Sequence, residues 1–319
     1  MIKFPSIDQF RVVCRAVREH HDYAGKNDAG EPIYQHRSAY PVINFTGTVK
    51  LHGTNAGIVK YIDRIEYQNR ERVITPDNDN AGFAAAMSEK DLSFLFNDLE
   101  FNDYIAVYGE WCGAGIQKGV AITQLPKMFV IFAWKIDGKW VNIRRYDPEQ
   151  RIYDINTFPT YNIEIDFENP EAIQNRLIAL TEMVESECPV GKWFGVSGTG
   201  EGIVWSDHDR KYCFKVKGEK HSTSKVKTLA SVDVEMLATV NEFVDYALTE
   251  SRLRQGLCKL EEMGLEVSTK STGDYLRWIV SDIHKEESDT ISTNGIDVKK
   301  LNSALSNKAR QWFFQNLPI

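Results

Sequence analysis

Short runs of β-branched and aromatic residues recur between residues 42 and 216, and helix-type spacing replaces them further along the chain. These runs predict strands at 42–45, 56–59, 64–68, 72–75, 104–111, 128–136, 200–205 and 212–216. Beyond about residue 225, apolar residues from Leu276 to Ile283 recur at i, i+3, i+4 and i+7, which predicts an amphipathic helix. The pattern therefore predicts an α+β body dominated by antiparallel sheet over residues 1–224 and an all-helical domain over residues 225–319.

Helices are also predicted at three places within the body. Ser6 can cap a helix over residues 6–20, where apolar residues fall at helical spacing. Residues 81–97 again have helical character, and Pro170 can open a third helix because proline is favoured at the first helical position. Residues 22–40 are polar and contain glycine and proline, so we interpret them as a loop.

The composition excludes several classes of protein. Hydrophobic residues make up 42% of the 319 residues and charged residues 26%, as in an ordinary globular protein. No apolar run approaches the ~18–20 residues that span a bilayer, and residues 1–5 contain no signal-peptide core. We therefore expect no membrane association and a cytoplasmic location, in the host cytoplasm if the protein is viral. The five cysteines include no C-x-x-C pair, which argues against a structural zinc site and a disulfide framework.

The formal net charge of −7 bears on nucleic-acid binding. A protein that holds nucleic acid by bulk electrostatics is usually basic, so this chain would need a local basic patch. A candidate lies between Cys213 and Lys227, where Glu219 is the only acid beside Lys215, Lys217, Lys220, Lys225 and Lys227. Such a patch could follow a phosphate backbone, or these lysines could coat a surface strand.

The most informative stretch for chemistry runs from Thr48 to Asn55 and reads Thr-Val-Lys-Leu-His-Gly-Thr-Asn. Lys50 lies between two strand-like segments and is followed by His52 and Gly53. A lone lysine is usually a solvated surface residue, and Gly53 could be a turn residue with positive φ. Taken alone, this stretch therefore does not establish a site.

Four further segments carry polar or aromatic residues on predicted strands. Glu110 ends one buried strand, Trp134 lies on another, and Glu201 precedes a third. Lys215 and Lys217 lie on the same face of a fourth strand, because side chains alternate along a strand with a period of two. In isolation, each of these residues would be an ordinary surface or core residue.

In their order along the chain, these segments resemble the motifs of ATP-dependent ligases and mRNA capping enzymes, and most closely those of the RNA ligase 2 family. That family has K-x-H-G-T-N around its lysine, as at residues 50–55, and an arginine twenty residues later, here Arg70. Residues 109–117 look like its G-E-x-x-G-x-G-x-Q strand, and Trp134 stands where it has an adenine-stacking aromatic, usually Phe. Glu-Gly at 201–202 and Lys-x-Lys at 215–217 complete an ordered set that rarely arises by chance.

The resemblance implies a fold and a reaction. The implied fold is an adenylyltransferase domain of the ATP-grasp-like ligase type, with antiparallel sheets lining the nucleotide cleft, followed by a small all-helical C-terminal domain. The implied cofactors are ATP and Mg²⁺ or Mn²⁺. Lys50 would form lysyl-AMP, the AMP would pass to a 5′-phosphate, and a 3′-OH would then seal the break. The implied partner is RNA, as a nicked duplex or an RNA/DNA hybrid, and we expect a monomer.

The resemblance also implies roles for individual residues. The implied catalytic residues are Lys50, His52, Lys215 and Lys217. The implied nucleotide-binding residues are Lys50, Asn55, Arg70, Glu110, Trp134, Lys215 and Lys217. Glu201 is the residue implied to help hold the hydration shell of the metal.

Two alternative functions stay open. A DNA ligase usually has Asp where this chain has His52, and DNA ligases and capping enzymes follow this domain with a β-rich OB fold rather than helices. A non-catalytic nucleic-acid-binding module on the same fold would be expected to lose its nucleophile first. The presence of Lys50, Glu201 and the two strand lysines therefore favours an enzyme.

Overall fold

The computed structural model describes residues 1–218, 240–293 and 295–317. In these ranges the strands are β1 (Asp8–Gln9), β2 (Tyr23–Lys26), β3 (Pro32–Tyr34), β4 (Val42–Lys50), β5 (Thr54–Lys60), β6 (Ile65–Asn69), β7 (Val73–Ile74), β8 (Ile105–Cys112), β9 (Met128–Ile136), β10 (Lys139–Val141), β11 (Ile152–Asp154), β12 (Thr160–Asp166), β13 (Gly202–Ser206) and β14 (Cys213–Lys217). The helices are α1 (Phe10–Asp22), α2 (Phe83–Ser88), α3 (Ser93–Phe96), α4 (Gln174–Ser186), α5 (Pro189–Trp193), α6 (Val240–Ala247), α7 (Glu250–Glu262), α8 (Thr272–Glu286), α9 (Ser288–Thr293) and α10 (Val298–Gln315).

Two sheets form the body of the protein. The first has the strand order β1-β14-β13-β4-β12, and the second has the order β10-β9-β8-β5-β6-β7, with β11 paired to β9. The pairings are antiparallel except for β1 with β14 and β11 with β9. The predicted body of antiparallel sheet is therefore present. β4 leads directly into β5, so residues 51–53 connect the two sheets.

The main hydrophobic core takes residues from both sheets. Phe45 and Val49 come from β4, Val130 comes from β9, and Trp205 comes from β13. A Cβ atom on Gly47 would lie 2.6 Å from the Trp205 ring. Since no side chain fits in that space, the glycine allows the large indole of β13 to pack directly across β4.

The described residues from 240 to 317 contain only helical elements. α6, α7, α8 and α10 surround a separate core, in which the rings of Tyr275 and Phe313 stack with centroids 4.4 Å apart. Arg252 is fully buried in this core and donates to Asp282 at 2.8 Å. The predicted division at residues 224 and 225, together with Lys220, Lys225, Lys227 and Glu219, lies outside the described residues.

The predicted helix over residues 6–20 and the predicted loop over residues 22–40 are both partly wrong. Helix α1 begins at Phe10, because Asp8 and Gln9 pair in parallel with β14. The polar segment after α1 forms the antiparallel hairpin of β2 and β3.

The predicted helix over residues 81–97 is instead two short helices. Gly82, with φ of 79°, holds the chain in the left-handed region just before α2. The carboxylate of Asp79 accepts hydrogen bonds from the backbone N–H groups of Ala84 and Ala85, each at 2.8 Å. Ser93 donates its backbone N–H to Asp91 at the start of α3. These local side-chain bonds compete with a continuous helix and break it between residues 88 and 93.

None of the helices in the described ranges combines the length and the apolar character needed to cross a membrane.

Candidate active site

Lys50 and Lys217 are brought to the same level of the first sheet by strand register. Gly202, the first residue of β13, pairs with Lys50 of β4 on one side and with Lys217 of β14 on the other. Gly202 has a φ of 151°, and a Cβ atom there would lie 2.1 Å from the Val216 carbonyl oxygen. Only glycine fits this close approach, which sets Glu201 beside both lysines.

A single buried carboxylate joins the cluster that consists of Lys50, His52, Glu201 and Lys217. Lys50 Nζ donates to Glu201 Oε2 at 2.8 Å, and His52 Nδ1 lies 3.1 Å from the same oxygen. Lys217 Nζ lies 3.0 Å from the other oxygen, Oε1. The Glu201 side chain is 2% exposed, whereas that of Lys50 is 21% exposed. The Lys50 side chain is therefore more accessible than the carboxylate that it contacts.

The cluster has a strong effect on the protonation of its members. Burial alone would raise the pKa of Glu201, but the charges of Lys50 and Lys217 and the contact with His52 hold that pKa well below its ordinary value. Burial lowers the pKa of Lys217; Glu201 opposes this effect, and the charges of Lys50 and Lys215 add to it. Burial, with the neighbouring lysine charges, therefore holds the pKa of Lys217 below its ordinary value in spite of the ion pair with Glu201.

Glu110 lies beside this cluster on the second sheet. It is paired with Asn55 across β8 and β5, and its Oε1 accepts the backbone N–H of Gly53 at 3.0 Å. Gly53 does not have a positive φ, so the interpretation of this glycine as such a turn residue is wrong. A Cβ atom on Gly53 would instead lie 2.3 Å from the Trp111 carbonyl oxygen. The glycine therefore allows close contact between the connecting segment and β8.

The protonation of Glu110 predicts a pH-dependent stability. Burial raises the pKa of Glu110 to about 7; Lys50 lowers it, and Glu201 raises it further. A raised pKa means that the folded state binds the proton more tightly than the unfolded state does. The protonation of Glu110 therefore contributes fully to the free energy of unfolding below the unfolded pKa of about 4.3, and this contribution is lost as the pH rises through about 7. Relative to Glu110→Gln, the free energy of unfolding of the wild type should fall by roughly 3 kcal/mol between pH 4 and pH 8.

Urea unfolding of both proteins across this pH range measures the difference. Glu164→Gln, on the exposed side of β12, is the matched control and should follow the wild-type pH profile. A constant difference between the wild type and Glu110→Gln at every pH would contradict the expected titration.

Lys215 lies on the same face of β14 as Lys217 but has a different partner. Its Nζ is 3.3 Å from Glu286 Oε1, which belongs to α8 of the C-terminal helices. The same glutamate accepts a hydrogen bond from Gln9. Lys215 is therefore held between the N-terminal strand β1 and the helical segment rather than by Glu201.

Arg70 lies just after β6, where the end of α7 packs against the second sheet. Its neighbour Glu71 pairs with Lys259 of α7. Glu262, the last residue of α7, accepts a hydrogen bond from the Thr54 hydroxyl at 3.3 Å. Among the described residues, no hydrogen bond or ion pair joins Arg70 to the cluster of Lys50, His52, Glu201 and Lys217.

Trp134 lies on the opposite face of the second sheet from Glu110. It pairs with Val107 and is 2% exposed in a core that it shares with Phe83 of α2. Glu110 lies three residues after Val107 on the same strand and therefore faces the other way. The predicted adenine-stacking position is thus a packing position in this structure.

The structure brings together four of the predicted site residues, namely Lys50, His52, Glu201 and Lys217, with Glu110 and Asn55 alongside. Three contacts were not predicted. Glu286 reaches Lys215, Glu262 reaches Thr54, and Gln117 Nε2 donates to the Gly53 carbonyl at 3.4 Å. Gln117 lies within a recognised motif, but the two glutamates carry no sequence signal because acids are ordinary on helix surfaces.

A family model described as RNA ligase matches residues 43–226, which is more than half of the chain and includes the whole Lys50 cluster. The chain belongs to the RNA ligase family. The family resemblance seen in the sequence is thereby confirmed. No curated protein matches this RNA ligase family member.

Solved structures that this chain matches come from the organism Naegleria gruberi. Its RNA ligase with PPi is 18% identical, with a TM-score of 0.40 over 69% of this chain and 58% of that chain. A mutant with AMP and Mn is 15% identical, with a TM-score of 0.42 over 69% and 56%. A mutant with ATP and Mn is 16% identical, with a TM-score of 0.42 over 69% and 57%. Our RNA ligase family member therefore spans little more than half the length of these proteins.

Proposed function

We propose that this protein is an ATP-dependent RNA ligase that joins 3′-OH and 5′-phosphate ends through AMP bound covalently to Lys50. One observation carries the proposal. The Lys50 amine is partly exposed and lies 2.8 Å from a buried carboxylate, which in turn lies 3.0 Å from a second lysine, Lys217. A nucleophile, Lys50, thus lies close to a cation, Lys217, that can neutralise phosphate charge, in a chain that belongs to the RNA ligase family.

Attack on the α-phosphorus of ATP requires a neutral amine. A free lysine has a pKa of about 10.4, so only about one in 2,500 is neutral at pH 7. In this structure the Lys50 amine is paired with Glu201, and Lys217 lies within the same ion network. The pair between Lys50 and Glu201 has to loosen when ATP binds, and the proton of Lys50 has to leave before the new N–P bond forms and pyrophosphate departs.

The neighbouring residues suit the remaining parts of the nucleotide. Glu110 can bind a ribose hydroxyl, and Asn55 lies opposite it on β5. Lys217 can neutralise phosphate charge as it develops, and His52, which is partly exposed, can orient a phosphate. We also assign Lys215 to phosphate contact and Arg70 to the ribose or the nucleic-acid end, which requires each of them to move towards Lys50.

A divalent ion carried by the ATP phosphates fits the donors around Lys50. Mg²⁺ usually keeps several waters and needs only one or two protein carboxylates in addition to substrate phosphates. Glu201 provides such a carboxylate, and both of its oxygens already contact Lys50, His52 or Lys217. Glu201 would therefore accept hydrogen bonds from water molecules bound to the ion. The ion, when bound, would neutralise charge on the phosphates.

A sealing assay on nicked duplexes tests the proposal. Four substrates combine RNA or DNA at the 3′-OH side with RNA or DNA at the 5′-phosphate side, each with ATP and Mg²⁺. We expect sealing when the 3′-OH strand is RNA, and at least about tenfold slower sealing when it is DNA, because a site that hydrogen-bonds a hydroxyl rejects a substrate without it.

A duplex with a 5′-OH at the nick is the negative control and should not be sealed. Equal sealing of the all-DNA nick would make the protein a DNA ligase in practice. Binding of the duplexes without any joined product would favour a non-catalytic module.

A further inference from the structure

The open end of the β2–β3 hairpin carries a cluster of two histidines and one aspartate. His21 and Asp22 directly precede β2, and His36 follows β3 by two residues. The pairing of Tyr23 with Tyr34 continues in a hydrogen bond from the Gln35 N–H to the Asp22 carbonyl at 2.7 Å. The hairpin register therefore brings the three side chains together at one point.

The donor atoms of these side chains converge on one carboxylate oxygen. Asp22 Oδ1 lies 3.1 Å from His21 Nδ1 and 3.2 Å from His36 Nδ1. One ligand atom from each residue lies within 4.8 Å of the other two. Ligand atoms bound about 2.0–2.1 Å from a tetrahedral zinc ion are about 3.3 Å apart, so the two measured nitrogen–oxygen distances are close to those of a metal site.

A second layer of polar groups supports the cluster. Ser38 Oγ lies 3.2 Å from His21 Nε2, and the Tyr40 hydroxyl donates to Asp22 Oδ2 at 2.9 Å. Metal-ligating histidines and carboxylates usually have such partners on their remaining atoms, which fix the ring orientation and the tautomer. A simple hairpin contact has no need of these additional bonds.

We propose that His21 Nδ1, His36 Nδ1 and Asp22 Oδ1 form a binding site for a divalent transition-metal ion of the zinc class. Imidazole nitrogen favours Zn²⁺ over Mg²⁺ and Ca²⁺, which prefer oxygen ligands. Half of the His36 side chain is exposed, so a water molecule can reach a fourth position. The site shares no residue with the Lys50 cluster and does not depend on the proposed ligase activity.

The location of the site suggests a structural role. A two-stranded hairpin alone is marginally stable in water, and the strands of this hairpin are four and three residues long. A metal ion bound across its open end would join the end of α1 to His36, two residues after β3, and so close the hairpin.

Metal titration of the untagged protein, after treatment with a chelator, tests the site. With Co²⁺ as the probe, we expect one equivalent to bind with the visible bands of a tetrahedral nitrogen–oxygen site and without a thiolate charge-transfer band. Zn²⁺ should displace it. His36→Asn and Asp22→Asn should weaken Zn²⁺ binding by at least about 100-fold, and Ser38→Ala, which removes only a supporting partner, by about tenfold.

His208→Asn is the matched control, because this histidine is exposed on the turn after β13 and should leave Zn²⁺ binding unchanged. Zn²⁺ should also raise the unfolding temperature of the wild type and of His208→Asn but not that of Asp22→Asn, which separates a lost ligand from a lost fold. The proposal is overturned if the wild type binds no Co²⁺ or Zn²⁺, or if Asp22→Asn and His36→Asn bind as tightly as the wild type.

Discussion

Lys50→Arg is expected to reduce covalent transfer of AMP to the protein by at least about 10³-fold, which is the scale of loss when a nucleophile is removed. Arginine stays protonated at any usable pH and cannot attack phosphorus. It can still pair with the buried Glu201 carboxylate, so the fold should survive. Incubation with ATP labelled at the α-phosphate, followed by denaturing electrophoresis, measures the transfer.

Lys60→Arg is the matched control for this variant. Lys60 is also a half-buried lysine at the last position of a strand, in β5, and is not part of the Lys50 cluster. It should take up label as the wild type does. Label on folded Lys50→Arg at the wild-type level would show that another residue is the nucleophile.

Glu201→Ala is expected to lower the free energy of unfolding by about 3–5 kcal/mol, because it removes one partner of a buried ion network. The 2% exposed carboxylate of Glu201 contacts Lys50, His52 and Lys217, and the Lys217 side chain is only 12% exposed. Without Glu201, the Lys217 ammonium would be buried without a counter-charge or would have to lose its proton. Urea unfolding at pH 7 measures the loss.

Glu201→Gln separates charge from shape in this test. It keeps the volume and two polar atoms, so it should be less destabilising than Glu201→Ala while still reducing AMP transfer. Glu164→Gln on β12 lies on an exposed position of the same sheet and should leave the stability nearly unchanged. Stability of Glu201→Ala within about 1 kcal/mol of the wild type would contradict the inferred importance of the ion network.

The strands were predictable from the sequence where apolar residues form long uninterrupted runs. The predicted strand over 128–136 has the bounds observed for β9. It is a buried central strand, and such strands need apolar residues on both faces. The family motifs group Lys50, Glu201 and Lys217 in one site. The register of β4, β13 and β14 places these three residues next to one another.

Other features depend on information that a local pattern does not contain. The pairing of Tyr108 with Ala133 but of Gly109 with Ile131 leaves Phe132 as an extra residue in β9. Such a bulge changes which face a nearby side chain occupies, and nothing in the run of apolar residues marks it. Trp134, two residues after this bulge, packs in the core on the other side of the sheet from Glu110.

The partner of Lys215 illustrates a second limit. Glu286 lies 71 residues away in sequence, on a helix whose docking position follows from tertiary packing rather than from periodicity. The hairpin of β2 and β3 illustrates a third, because its strands are short and largely exposed and therefore lack the alternation that identifies a strand. The missing information is a long-range contact for Lys215 and a hydrophobic pattern for the hairpin.

The most direct test of the account is to locate AMP on the protein after incubation with ATP and Mg²⁺. Intact-mass measurement should show the addition of one AMP, and peptide mapping under conditions that preserve the phosphorus–nitrogen bond should place it on Lys50. A folded protein that starts without AMP and gains none, or one that carries AMP on Lys215, Lys217 or another residue instead of Lys50, would contradict the account.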